Sequence, residues 1–475
     1  MANGSVTVAL LGPTQGAISF EQSIVSSQSA LELSPLTLES PVMKSPTFMA
    51  AQEFMREAGI DGWLTRDYRY TNPVFEAALG QHVQNLTRPV WLFIPQDGEP
   101  LLVAHDVDAG RLPAGSPRVV RFSNRDGMVE RLRSALRKGA KVAMEYSPMY
   151  ELPRVGRVDA GTIELVRSLG VQVVPSGDVL QYATERWSPA QRESHQYAVE
   201  SLVKTVKDAF KFVGENVRWK LTEHDVAEYI RGRYQRLGLQ ADDGPIVAFN
   251  GHASDPHYEP KPGQDAVIRR NGWLLIDLWA RKVAPPPAQS LSKPSRPGLP
   301  ERSGGPGAEG SPLALRQAQG ERSGDSQNIY ADITWTACLG GKPSPEQQRV
   351  FDTVISSRDT AFRLLEDRVL AGRNPQGWEA DRAAREVIER AGYGKFFVHR
   401  LGHSLGREVH ANGVNLDDWE THDTRTVING IGVTIEPGIY LPEFGVRSEI
   451  DVYMGDDGPE VTAESQHEVV VIETA

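Results

Sequence analysis

The first stretch of patterned sequence alternates between two periods. Residues 47–58 (TFMAAQEFMREA) place apolar side chains at helical spacing, and Gly59 supplies a stop. Short apolar, β-branched runs then recur at 62–64, 90–94, 101–104, 119–122, 142–144 and 171–174. Helical patterns at 125–138 and 159–169 separate them, the second stopped by Gly170. Such alternation predicts an α/β domain. No catalytic residue types gather there, so a shaping or assembly role is expected.

A new pattern begins near Trp187. Ser188 and Pro189 are suited to the cap and first position of a helix that runs to about Val213. A second helix opens at Thr222, with Asp225 three residues on as in a capping box, and ends near Gly238. Beyond it the chain is strand-rich. One segment breaks the pattern: residues 284–327 contain 8 Pro, 7 Gly and 7 Ser, and ERSG occurs twice, at 301–304 and 321–324. This composition predicts a disordered, low-complexity insertion. Residues 1–43, with no Lys or Arg, no sustained period and only the short apolar run Val6–Leu11, predict a disordered extension. Met43 and Met49 stand as alternative starts.

The fold class expected is therefore α+β, with an extension (1–43), a smaller α/β domain (44–186) and a second domain (187–475) interrupted by the insertion (284–327). Composition agrees with a folded chain: 475 residues, 40% hydrophobic and 24% charged. A net charge of -11 makes nucleic acid or an anionic membrane an unexpected partner. No apolar run reaches the ~18 residues of a membrane helix. The single cysteine, Cys338, excludes an internal disulfide, and together with the absence of a basic leader it points to the cytoplasm.

Chemistry gathers in the last 200 residues. Asp277 lies in WLLIDLWA, Asp332 in IYADITWT, His403 in HRLGHSLGREVH, Glu436 in VTIEPGIY and Glu449 in GVRSEIDVYM. A carboxylate amid apolar strand residues is costly to bury unless a cation or hydrogen bonds compensate it. Four carboxylates and one imidazole carry enough charge for two divalent cations, which activate water in hydrolases. Asp277 and Asp332 are 55 residues apart; without the 44-residue insertion the gap is 11, which suits neighbouring antiparallel strands with both carboxylates on one face. His399 and His403 are four apart, but Gly402, Gly406 and the lack of HExxH argue for strand or loop rather than a zinc-binding helix.

These segments in combination resemble the pita-bread metallopeptidases: prolidase, aminopeptidase P, methionine aminopeptidase and the metal-free creatinase. The resemblance covers about 188–475. Residues 44–185 are similar to the N-terminal domain of creatinase, prolidase and aminopeptidase P, which methionine aminopeptidases lack. It implies that Asp277 chelates a first metal, that Asp332 and Glu449 bridge two, and that His403 and Glu436 complete the second. Mn²⁺ suits such hard donors, with Co²⁺, Zn²⁺ and Fe²⁺ as alternatives. It also implies that Glu436 takes a proton from water, that His257 (in AFNGHASDPHYEP) and His410 face the substrate, that Arg447 orients carboxylates and that His399 lines the pocket. His252 matches no role and is expected at the surface.

The function expected is a dinuclear metallo-exopeptidase cleaving Xaa-Pro bonds of short proline-containing peptides, as a homodimer. A metal-dependent hydrolase of a small non-peptide C–N bond is the alternative within the fold. A non-catalytic binding protein is the alternative from another class.

Overall fold

All six apolar runs of the first half are strands of one mixed sheet. The computed structural model describes residues 45–83, 86–283 and 327–474, within a unit spanning Met43–Ala475. The extension expected at 1–43, and all of 284–327 except Gln327, lie outside the described residues. β1 (Gly62–Asp67), β2 (Val90–Pro95), β3 (Leu101–His105), β4 (Arg118–Phe122), β5 (Lys141–Met144) and β6 (Gln172–Pro175) are ordered β4-β3-β2-β1-β5-β6. Alternation sends Trp63, Leu92 and Ile94 to one core and Leu64, Trp91 and Phe93 to the other. The helix Pro46–Ala58 buries Phe48, Ala51 and Met55. The helices Arg125–Ala135 and Ala160–Ser168, which pack on the other core, are slightly shorter than the patterns suggest.

The second half is built on a long hairpin. β9 (Gly272–Lys282) and β10 (Tyr330–Leu339) pair antiparallel from Gly272↔Leu339 to Arg281↔Tyr330. β7 (Leu239–Gln240) and β8 (Ile246–Phe249) flank β9, and β17 (Val470–Ile472) runs parallel to β10. Leu274, Ile276, Leu278 and Ala280 on β9, with Ala331, Ile333 and Trp335 on β10, pack with the helices Pro189–Asn216 and Glu223–Leu237. Both helices begin with capping boxes, at Ser188 and Thr222. With that face filled by helix, period two turns Asp277, Asp332 and Thr334 the other way. Asp277 pairs with Thr334, and Asp332 is two residues from Thr334, so both aspartates share the face away from the helices.

Facing them are β11 (Ser404–Leu405), β12 (Gly432–Ile435), β13 (Gly438–Leu441), β14 (Phe444–Arg447), β15 (Ile450–Gly455) and β16 (Gly458–Val461). They form a sheet ordered β11-β12-β15-β16 and the hairpin β13–β14. Their core includes Val350, Phe351 and Val354 of the helix Pro345–Leu370, and Ala380, Ala384 and Ile388 of the helix Gly377–Arg390.

The β9–β10 ladder is complete to Arg281↔Tyr330, and Asn328 Nδ2 donates to the Lys282 carbonyl at 2.8 Å. Closing this hairpin needs only a tight turn, and loop entropy changes slowly with length. Replacing residues 284–326 with a short Gly/Ser turn should leave the melting temperature within about 3 °C and metal content unchanged. A large loss in calorimetry would show that the segment supports the hairpin.

Candidate metal centre

A cavity of about 310 Å³ lies between the β9–β10 hairpin and the facing strands, and Asp277, Asp332, His403, Glu436 and Glu449 all line it. Asp277, Asp332, His403 and Glu449 are each buried. One ligand atom each from Asp332, His403 and Glu449 lies within 4.8 Å of the others. His403 Nε2 is 3.7 Å from Asp332 Oδ2 and 3.5 Å from Glu436 Oε1.

Strands and one ordered loop deliver these side chains. Glu436 follows β12, and its N–H donates to the Leu401 carbonyl at 2.8 Å, while Thr434 N–H donates to the His403 carbonyl at 2.8 Å. These bonds make the histidine segment strand and loop. A Cβ on Gly402 would meet the Thr434 carbonyl oxygen at 2.1 Å, so only glycine allows that approach. Behind the segment, Arg385 pairs with Asp381 and donates to the Phe397 and His399 carbonyls, and Asp381 accepts Leu401 N–H at 2.9 Å. On the other side, buried Arg358 donates to Ser448 Oγ at 2.8 Å, between Arg447 and Glu449.

The electrostatics are strained for a protein without cations. Burial, then Glu449, Asp277 and other carboxylates, pushes the Asp332 carboxyl well above its usual range. Burial and the neighbouring Glu436 and Asp277 do the same to Glu449. Burial lifts Glu436 to about 7. Burial, followed by the neighbouring His410 imidazole, holds His403 far below its ordinary value, so its ring is neutral. Because His403 Nδ1 lies 3.2 Å from the Ser404 carbonyl and must donate to it, Nε2 carries a lone pair. That lone pair faces carboxylate oxygens. Asp277 Oδ1, Asp332 Oδ1 and Glu449 Oε1 are buried with no hydrogen-bond partner among the described residues. A lone pair and three orphaned anionic oxygens converging on one cavity are what divalent cations require, so the residues fit a metal centre.

The remaining expected residues divide. His257, His410 and Arg447 line the cavity. The ring of His410 contacts that of His403, centroids 4.3 Å apart, and burial holds its pKa down at about 4. Arg447 is buried, pairs with Asp277 Oδ2, and donates to Thr334 Oγ1 at 3.0 Å and Tyr440 OH at 3.1 Å. His399 is not among the residues lining the cavity. Its Nδ1 donates to the Arg400 carbonyl at 2.6 Å, so Nε2 accepts from Tyr440 OH at 2.7 Å, one step behind Arg447. His252, expected at the surface, is half-buried and bonded to buried Glu223 at 2.9 Å.

Sequence reading missed several members of this network. Thr334 Oγ1 donates to Glu449 Oε2 at 2.7 Å, and Asp451 Oδ2 accepts the backbone N–H of Asp332 at 2.9 Å. Thr334 lies two residues past Asp332 on one face of β10, and Asp451 lies two past Glu449, which directly precedes β15, a signal that spacing by two itself offers. Arg154 left no signal. It comes from the first half, for which only a shaping or assembly role was expected, yet its Nε donates to the Ala411 carbonyl at 2.6 Å, beside His410.

Two outcomes follow from the crowded charge. A carboxyl whose folded pKa is raised contributes stability present below its unfolded value, 4.5 for glutamate, and lost as pH rises through the folded value, about 7 for Glu436. The melting temperature of the metal-stripped protein should therefore fall between about pH 5 and 8 relative to the metal-loaded form. A gap that stays constant with pH, followed by calorimetry, would refute the coupling. Asp332→Asn should lower metal stoichiometry, measured by elemental analysis, yet raise or preserve the melting temperature of the stripped protein by removing a carboxyl whose ionisation burial and its neighbours oppose. A stripped variant less stable than the stripped wild type would mark Asp332 as a structural partner.

The sequence pattern of metallopeptidase family M24 matches residues 193–283 and 323–456. An uncharacterized peptidase of Staphylococcus haemolyticus is 27% identical over 301 residues, covering 63% of this chain and 68% of its own. One from Staphylococcus epidermidis is 34% identical over 242 residues, covering 50% and 52%. Among solved structures, dipeptidase PepE from Mycobacterium ulcerans superposes with a TM-score of 0.62 at 21% identity, over 90% of this chain and 97% of its own. X-Pro aminopeptidase from Thermotoga maritima gives 0.54 at 19%, over 90% and 99%. At such identities these two structures establish a shared fold, the pita-bread arrangement with an N-terminal domain before it. With that fold, the matched segments and a cavity built for cations, the chain belongs to metallopeptidase family M24.

Proposed function

We propose that this protein is a dinuclear metal-dependent exopeptidase that hydrolyses Xaa-Pro bonds of short peptides. The observation that carries the reading is the convergence of the His403 lone pair and the orphaned oxygens of Asp277, Asp332 and Glu449 on one cavity. Asp277, Asp332, His403, Glu436 and Glu449 would hold two divalent cations, with Mn²⁺ favoured by the oxygen-rich set, and the bound ions would supply an acidified water and polarise the scissile carbonyl.

The chain's own groups do the rest. Glu436, its carboxyl near 7, takes a proton from the attacking water and returns it to the leaving nitrogen. His410 is neutral at neutral pH, so its ring can donate a hydrogen bond to the developing oxyanion, with His257, which also lines the cavity, as a second donor. Arg447 holds Asp277 in place and offsets part of the negative charge. Ile246, Trp279 and Val409 give the cavity an apolar side, which suits a compact proline ring. Solved structures of this fold described as a prolidase from Pyrococcus horikoshii and as the Thermotoga maritima X-Pro aminopeptidase support the same substrate class.

Metal-stripped and Mn²⁺-reloaded protein should be assayed on a matched Xaa-Pro dipeptide and Xaa-Pro-Yaa tripeptide. Cleavage of at least one, only after reloading, is expected, and the preferred length separates dipeptidase from aminopeptidase behaviour. Full metal occupancy without cleavage of either would defeat the Xaa-Pro assignment.

A further inference from the structure

The segment between β8 and β9 carries Pro256, His257 and Tyr258 into the cavity wall with one short helical turn as its only regular structure. Something else must hold it. Glu223, the first residue of the helix Glu223–Leu237, lies behind it with 0% exposure. Its carboxylate accepts Phe249 N–H at 2.6 Å, Ala266 N–H at 2.7 Å, Tyr258 OH at 2.6 Å and His252 Nδ1–H at 2.9 Å. A carboxylate offers about four lone-pair sites, so this one is saturated. Two donors come from the two ends of the segment and two from its interior, and the rings of His252 and Tyr258 pack together at 4.4 Å.

On its cavity side the same segment is tied to the metal centre. The Pro256 carbonyl accepts Arg447 Nη1 at 3.2 Å, and Arg447 pairs with Asp277. The ring of His257, next in sequence, makes no hydrogen bond among the described residues, and the hydrogen bond that holds this residue is from its backbone N–H to Asp255 Oδ1 at 2.9 Å. We infer that Glu223 is a positioning residue, a buried four-way acceptor that fixes the 249–266 segment and thereby aims His257 at the substrate. The kinetic part of this inference rests on the proposed peptidase activity; the structural part does not.

The test is a double-mutant cycle with Glu223→Gln and His257→Ala, combined with hydrogen exchange. The glutamine keeps the size but replaces an acceptor with a donor that faces other donors. Glu223→Gln should lower kcat/KM on the cleaved Xaa-Pro peptide by roughly 10- to 100-fold, as expected for a catalytic group displaced by about 1 Å. Metal content should stay unchanged, and the loss should vanish in the His257→Ala background. Exchange should rise over 249–266 and not over Gly62–Asp67. Glu223→Asp should recover part of the loss, and His252→Ala, which removes one donor, should give a smaller loss of the same kind. If Glu223→Gln fails to fold, these two milder variants carry the cycle. Effects that add to those of His257→Ala, or exchange over 249–266 that does not change, would overturn the inference. If the wild type cleaves no Xaa-Pro peptide, the proposed function fails, and exchange alone still decides the role of Glu223.

Discussion

The structure depends on one costly arrangement: four carboxylates from four segments share a small, largely buried cavity with a neutral imidazole. Two unit charges 4 Å apart repel by about 4 kcal/mol at an effective dielectric of ~20, and several such pairs act here at once. Arg447 pairs directly with Asp277, and its charge also favours the ionised forms of Glu436 and Glu449, but it offsets only part of the repulsion. The raised carboxyls of Asp332, Glu436 and Glu449 express the remainder, which protons or cations must neutralise. Bound cations would satisfy the same oxygens that repel one another without them.

A scaffold that tolerates this repulsion must be stiff. The β9–β10 ladder is fully paired, with apolar side chains packed against two capped helices on the face opposite the aspartates. Glu449 is tied to this hairpin through Thr334, and His403 to Glu436 through the bonds between 401–403 and 434–436. Buried arginines complete the support: Arg358 holds Ser448, and Arg385 holds the carbonyls before His403. Each has carboxylate or carbonyl partners, as a buried guanidinium requires. The first half is not a bystander either, since Arg154, in the short helical turn Pro153–Val155, holds the backbone beside His410.

Much of this was legible in sequence. The six runs of the first half became six strands, and the capped starts at Ser188 and Thr222 became long helices, because period, cap chemistry and glycine stops are local properties. Subtracting 284–327 correctly made β9 and β10 partners and set Asp277 and Asp332 on one face. Thr334 and Asp451 were readable in principle, being two residues beyond candidate ligands, but a hydroxyl or carboxylate on a strand does not announce what it bonds.

The chain's order of apolar and polar residues by itself determined the elements, the shared face of the two aspartates and the residue types offered to the centre. Only tertiary structure decided which distant groups meet. His399 sits behind Arg447 instead of on the cavity, His252 turns inward to Glu223, and Arg154 reaches from the first half to the segment of His410. The physical reason is range. Helical and strand periods are written over a few residues, whereas hydrogen bonds between segments some 30 to 260 residues apart exist only once packing has brought them together.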